Sequence, residues 1–221
     1  MMDWVAIGLT ARLAVCAALV LLAIGLPIAY WLATTHWRGR VFVEAVVALP
    51  LVLPPTVLGF YLLVAFGPRH HFGQWYEALT GHLLPFSFGG LLIASVIYSL
   101  PFAVQPFTVA FRSLDPAFAD VAKTFGATRL QIFRHVAVPM AWHGILAGFV
   151  LSFAHTLGEF GVVLMVGGNI PGVTRTLSIS IYDQVQSLNY GAAAWNSLFL
   201  LMACFAILSI TYLLQRHFRI A

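Results

Sequence analysis

The sequence predicts an all-α, polytopic membrane fold, and three observations carry that expectation. Of the 221 residues, 61% are hydrophobic and only 8% are charged, against roughly 45–50% and about 25% in a soluble domain. Five apolar runs reach the roughly 20 residues that a helix needs to cross the hydrocarbon core. Little chain is left over for a soluble module, so residues 1–221 read as a single transmembrane domain.

The runs fall near Leu9–Ala33, Val41–Phe66, Phe88–Phe111, Met140–Val166 and Ala192–Leu214. The first does not read as a cleavable signal, because "MMDW" lacks a basic leader and the run exceeds a signal core. Its partners are the short "THWRGR" (Thr35–Arg40), a loop around Gly67–Pro85, a polar segment after Phe111, and a loop around Gly167–Gly191. Five spans put the termini on opposite sides. With the N-terminus outside, the cytoplasmic side holds Arg38, Arg40, Arg112, Lys123, Arg129, Arg134, Arg216 and Arg219, and the outer side only Arg12, Arg69 and Arg175. The positive-inside bias favours that orientation. The net charge of +4 therefore reflects topology rather than nucleic-acid binding. Cys16 and Cys204 sit inside apolar runs, as small packing residues do.

One segment departs from its surroundings. "FADVAKTFGATRLQIFRHVAVPMA" (Phe118–Ala141) gathers Asp120, Arg129, Arg134, His135 and the only lysine, Lys123. Asp115 is placed to cap a helix and Pro116 suits its first position. Phe118, Val121, Ala122 and Phe125 recur at helical spacing, and Gly126 interrupts the pattern where a turn or close neighbour needs a small residue. "ATRLQIF" continues as helix, and Pro139 leads into the fourth span. Two uses fit this amphipathic element: a loop lying on lipid headgroups, or an apolar face that enters a groove on a soluble partner.

The segment resembles the EAA loop of ABC-importer permeases, taken here as about 113–139. With Gly126 on the motif glycine, Asp120, Val121 and Ala122 fall on E-A-A, and Val136, Val138 and Pro139 on the I, L and P positions. The departures keep charge or apolar character. "LPLVLPPTVLGFYLLVAFG" (Leu49–Gly67) and "LGEFGVVLMVGGNIPGVTRTLSISIY" (Leu157–Tyr182) resemble the molybdate and tungstate permeases, with sulfate and thiosulfate permeases as the nearest alternative. The resemblance implies a type I importer fold in the cell membrane, a homodimer forming the pathway, two cytoplasmic ATPase subunits and an extracytoplasmic oxyanion-binding protein. It implies that Phe118, Ala119, Asp120, Ala122, Lys123, Gly126, Ala127 and Pro139 couple the chain to the ATPase. It also implies that ATP and magnesium belong to that partner, this chain binding no cofactor. The residues agree: Lys123 in "DVAKT" has no phosphate-cradling glycines before it, so the chain is not expected to be an enzyme.

Within the spans, Glu159 is an ionisable group that hydrocarbon penalises. A carboxylate repels an oxyanion, so it reads as a structural or gating hydrogen bond beside Gly158 and Gly161, or as part of the pathway. His155 is either its i,i+4 partner or a neutral hydrogen-bonded residue. Pro50, Pro54, Pro55, Pro101 and Pro106 are expected to kink their helices and shape a pathway wall, with Thr56 and Gln105 as polar lining. Gly144 and Gly148 form a G-x-x-x-G pair suited to tight packing. "GGNIPG" (Gly167–Gly172) reads as a turn, or as backbone donors, with Asn169, for an anion. His70, His71 and His82 lack the spacing of a metal site. A secondary carrier would be expected to show paired broken helices in two repeats, and neither "LPPT" nor "GEFG" recurs. An intramembrane enzyme would need a set such as H-E-x-x-H or G-x-S-x-G, and neither is present.

Overall fold

The structure is a computed structural model; it describes residues 2–219, with side chains as far as Leu213. Arg216 and Arg219, counted above in the charge bias, have side chains outside the described residues. Every regular element among the described residues is helical. α1 (Trp4–Thr34), α5 (Phe88–Arg112) and α12 (Tyr190–Arg219) are long and apolar. At about 1.5 Å per residue, the 25 residues of α5 pass the ~30 Å hydrocarbon core.

The other two expected spans are broken. α2 (Arg40–Val52) and α3 (Pro55–Phe66) meet at 112°. Pro54 forces Leu53 out of the helical region, and its ψ is 135°. Pro55 then starts α3 at the position that needs no N–H donor. The fourth run continues from α7 (Arg129–Ile132) through a π-helical turn (Phe133–Ala137) and α8 (Val138–Met140). It bends by 78° into α9 (Trp142–Leu157). It breaks again at Gly158–Phe160 before α10 (Gly161–Gly167), so Met140–Val166 is not one helix. Pro101 and Pro106 lie inside α5, which continues through both without a break. Both predicted loops hold helices, α4 (His71–Thr80) and α11 (Leu177–Gln186).

α1, α5 and α9 form the core. α1 runs parallel to α5: Leu13 clusters with Leu91, Gly25 meets the Phe107 ring, and the Leu32 carbonyl accepts from Arg112 at 3.4 Å. α9 runs the other way, with Gly144 on Ala110, Gly148 on Phe107 and Thr156 at Ser99. Among lipid tails, exclusion from water gives little force between helices, so close van der Waals packing over small residues has to hold them. That is the role the Gly144/Gly148 pair takes.

The ends are tied by polar groups. Where α1 begins, Asp3 caps α1 and accepts from Ser180 Oγ at 2.7 Å, and its N–H donates to Asn196 at 3.2 Å. At the opposite end, Arg112 pairs with Glu44 at 2.5 Å, joining α5 to α2. α3 reaches the first end, where Phe66 packs with Leu84 and Ala94. Among the described residues three helices are continuous candidate spans, and counting each bent pair as one span gives five.

Candidate functional site

Two regions carry the predicted site residues. The first hangs from the end of the bundle where α5 finishes. α6 (Pro116–Thr124) opens as its sequence requires: Asp115 accepts from the Ala117 N–H at 2.9 Å, and Pro116 takes the first position. It closes in a Schellman turn, with Ala127 N–H on the Ala122 carbonyl at 3.1 Å and Gly126 N–H on Lys123 at 2.9 Å. Gly126 is left-handed (φ 78°), and a Cβ there would meet nothing within 4 Å. Backbone conformation, not crowding, selects glycine.

No residue of α6 is buried. Phe118, Val121 and Phe125 are 52%, 56% and 86% exposed, an apolar stripe along a helix beyond the end of α5. Lys123 pairs with Asp120 at 2.8 Å on the open surface, an ion pair worth little in water. Ala119, Ala122 and Ala127 are half-buried. Thr128 and Gln131 then form a capping box at 3.3 and 2.8 Å. Pro139 lies in α8, just before the 78° bend. α6 is thus joined to α9 through one turn, a short capped helix, a π-helical segment and α8.

The second region is interior. α9 and α5 share a polar seam. Ser99 Oγ lies 2.9 Å from His155 Nδ1 and 3.0 Å from Thr156 Oγ1. Thr156 gives its proton to the Ser152 carbonyl at 3.0 Å, so Ser99 donates to Thr156 and His155 Nδ1–H donates to Ser99. The His155 ring also stacks on Phe102 at 3.8 Å. Glu159 is not its partner: the helix ends at Leu157, and the i,i+4 register is lost. The Glu159 carboxyl is 4% exposed, and neither oxygen has a hydrogen-bond partner among the described residues. Ser95 Oγ is likewise buried without a hydrogen-bond partner among the described residues. A buried carboxyl without a donor is costly.

The breaks of the two bent spans lie side by side: a Cβ on Gly161 would stand 2.8 Å from Pro55 Cβ, and one on Gly59 2.7 Å from Met165. Pro54 and Thr56 are exposed at one break, with Gly158 and Glu159 at the other. Gln105 lies elsewhere, in an open cleft of about 680 Å³ between α2, α5 and the start of α9, walled by Leu51, Phe102, Val109, Met140 and Gly144. Asn169 is drawn away too, accepting from Arg175 Nε at 2.6 Å in the Gly167–Gly172 turn. The six predicted pathway residues thus divide among three places. Unforeseen in sequence were the Ser95/Ser99 and Ser152/Thr156 pairs, hydroxyls four apart in apolar runs and a readable signal. The Glu44–Arg112 clasp, 68 residues apart, left none. No cluster of metal-ligating side chains occurs among the described residues.

Comparison with known proteins matches residues 25–220 to the family described as "Binding-protein-dependent transport system inner membrane component". The chain is 48% identical over 214 residues to the molybdenum transport system permease protein ModB of Azotobacter vinelandii, covering 97% of this chain and 95% of that protein. It is 34% identical over 194 residues to the sulfate transport system permease protein CysT of Salmonella typhimurium, covering 88% and 70%. Its fold matches a chain of a bacterial ABC transporter that imports the acidic polysaccharide alginate, with a TM-score of 0.77 at 18% identity over 96% of this chain and 78% of the other.

Proposed function

The chain belongs to the binding-protein-dependent inner membrane transport components, and from that premise we propose that it is the permease subunit of an ABC importer for molybdate or tungstate. The observation that carries the substrate class is the 48% identity, over nearly the full length of both chains, to the Azotobacter vinelandii molybdenum permease. The chain forms a pathway and carries out no chemistry. Hydrolysis of ATP falls to a separate cytoplasmic subunit.

α6 is the point of attachment. Its exposed Phe118, Val121 and Phe125 form the kind of helical face that enters a groove on a partner. The Asp120–Lys123 ion pair lies exposed beside that face, where it can exchange with polar groups at the rim of the groove. Residues Arg38, Arg40, Arg112, Lys123, Arg129 and Arg134 belong to this end of the bundle, which supports a cytoplasmic location and an outside N-terminus. Two copies enclose the pathway, and a binding protein delivers the anion at the opposite mouth. Closure of the ATPase pair moves α6, and the 78° bend before α9 converts that movement into a change at the Pro54 and Gly158 breaks.

Uptake into proteoliposomes holding the chain, its ATPase and its binding protein tests the reading. Saturable, ATP-dependent uptake of radiolabelled molybdate, with sulfate a poor competitor, is expected. Sulfate carried as well as molybdate would move the assignment to the sulfate permeases, and uptake without ATP would make the chain a secondary carrier.

A further inference from the structure

We infer that α4 is an interfacial anchor, whose Phe72–Trp75–Leu79 stripe seats in the acyl and headgroup boundary of the bilayer at the end of the bundle where α1 begins. The inference does not depend on which anion is carried.

α4 joins two crossings, α3 and α5, so it has to lie at a membrane surface. Its ten residues divide into three sectors at about 100° per residue. One sector faces the bundle: Gly73 sits so close to the Phe66 and Gly67 carbonyls that a Cβ would collide with them, and Tyr76 packs against the Phe66–Leu84–Ala94 cluster. A second holds Phe72, Trp75 and Leu79 within an arc of about 60°, and these are 42%, 60% and 66% exposed. The third, opposite that stripe, holds Gln74 and Glu77. A helix beside a bundle on a bilayer needs this division: protein to one flank, apolar residues down and polar residues up.

The position of the stripe names the occupant: it is exposed on a short helix that links α3 to α5, at the end of the bundle where α1 begins. The Phe66 ring at the end of α3 stands 5.7 Å from Phe72, which stands 6.1 Å from Trp75. Phe66 is itself buried, on the side of α3 opposite the exposed Phe60 and Val64, so this contact ties Phe72 to the bundle while Trp75 and Leu79 face outward. Trp is favoured at the interface because it is apolar along its body and wet at one edge. Exposed Arg69, just before the helix, is placed to meet headgroup phosphates.

The test uses the full chain in its assembly, with Cys16 and Cys204 replaced by Ala, in bilayers of phosphatidylethanolamine and phosphatidylglycerol. Nitroxide labels at Leu79→Cys and Glu77→Cys are compared by power saturation with oxygen and with a water-soluble nickel complex. The expected result is a reversal: oxygen collisions dominate at position 79 and nickel collisions at 77. Equal nickel access at both positions would overturn the inference. So would a position 79 that becomes shielded from both reagents only when the binding protein is added, since the stripe would then be a protein-docking surface. As a check free of labels, brominated phospholipid should quench the fluorescence difference between the native chain and Trp75→Phe; an unquenched difference would contradict the anchor.

Discussion

Replacing Gly126 perturbs the turn after α6 and nothing else. The residue has φ 78° and open space where a Cβ would go, so no clash accompanies substitution. An L-residue held left-handed costs about 1–2 kcal/mol, which shifts the ratio of formed to unformed turn by about 5–30-fold. Because α6 contributes no buried residue, the cost stays local and the bundle should assemble normally. Gly126→Ala, Gly126→Val and Gly126→Asn separate backbone from side-chain effects. Asn enters this region more readily than the others, and valine, branched at Cβ, least readily. The assay is uptake and ATP hydrolysis measured on the same proteoliposomes. The expected order of anion carried per ATP is glycine, then asparagine, alanine and valine, with unchanged yield of complex. An asparagine variant as impaired as valine would refute the backbone explanation, and an unimpaired valine variant would refute the role of the turn.

Three further expectations concern the interior and the orientation. Glu159→Gln keeps the shape of a group that already lacks partners, so complex yield should be retained; loss of the assembly would mean that the carboxyl itself is required. Gly148→Leu should lower the melting temperature in detergent by overpacking, at about 1–3 kcal/mol, because its Cβ would stand 2.6 Å from the Phe107 ring. Gly8→Leu, with no neighbour within 4 Å, should not, and equal effects would contradict the packing register. A cysteine at exposed Thr128 should react with an impermeant maleimide only from the cytoplasmic side, and labelling of intact cells from outside would reverse the orientation.

Local features were legible because their causes are local. Asp115–Pro116 and Gly126 predict both ends of α6, each depending on a few neighbouring residues. Gly144 and Gly148 signalled close packing because a one-turn spacing puts both on one helix face. The three continuous crossings followed from length and apolarity. The breaks were harder to read. Pro54–Pro55 interrupts its span while Pro101 and Pro106 do not, because two adjacent prolines remove successive donors and hold Leu53 extended, whereas each lone proline removes one hydrogen bond that α5 tolerates. Nothing local announces that the fourth run stops at Gly158. There the packing of α10 on α3 takes over from helix continuity, and with it the expected His155–Glu159 register disappears. Apolarity also concealed α4 and α11, since a search for spans reads any shorter helix between them as loop. The Glu44–Arg112 clasp depends on a tertiary meeting of distant segments, which single-sequence patterns do not carry.

The most direct test of the coupling account is to isolate the tagged chain from gently solubilised membranes of its host and measure what remains bound. A soluble ATPase in equal amount, lost when Phe118 and Phe125 are both changed to Asp while the chain keeps its own yield, is the predicted result. No ATPase under conditions that preserve known ABC assemblies, or an ATPase that stays bound to the double variant, would contradict α6 as the site where the motor engages.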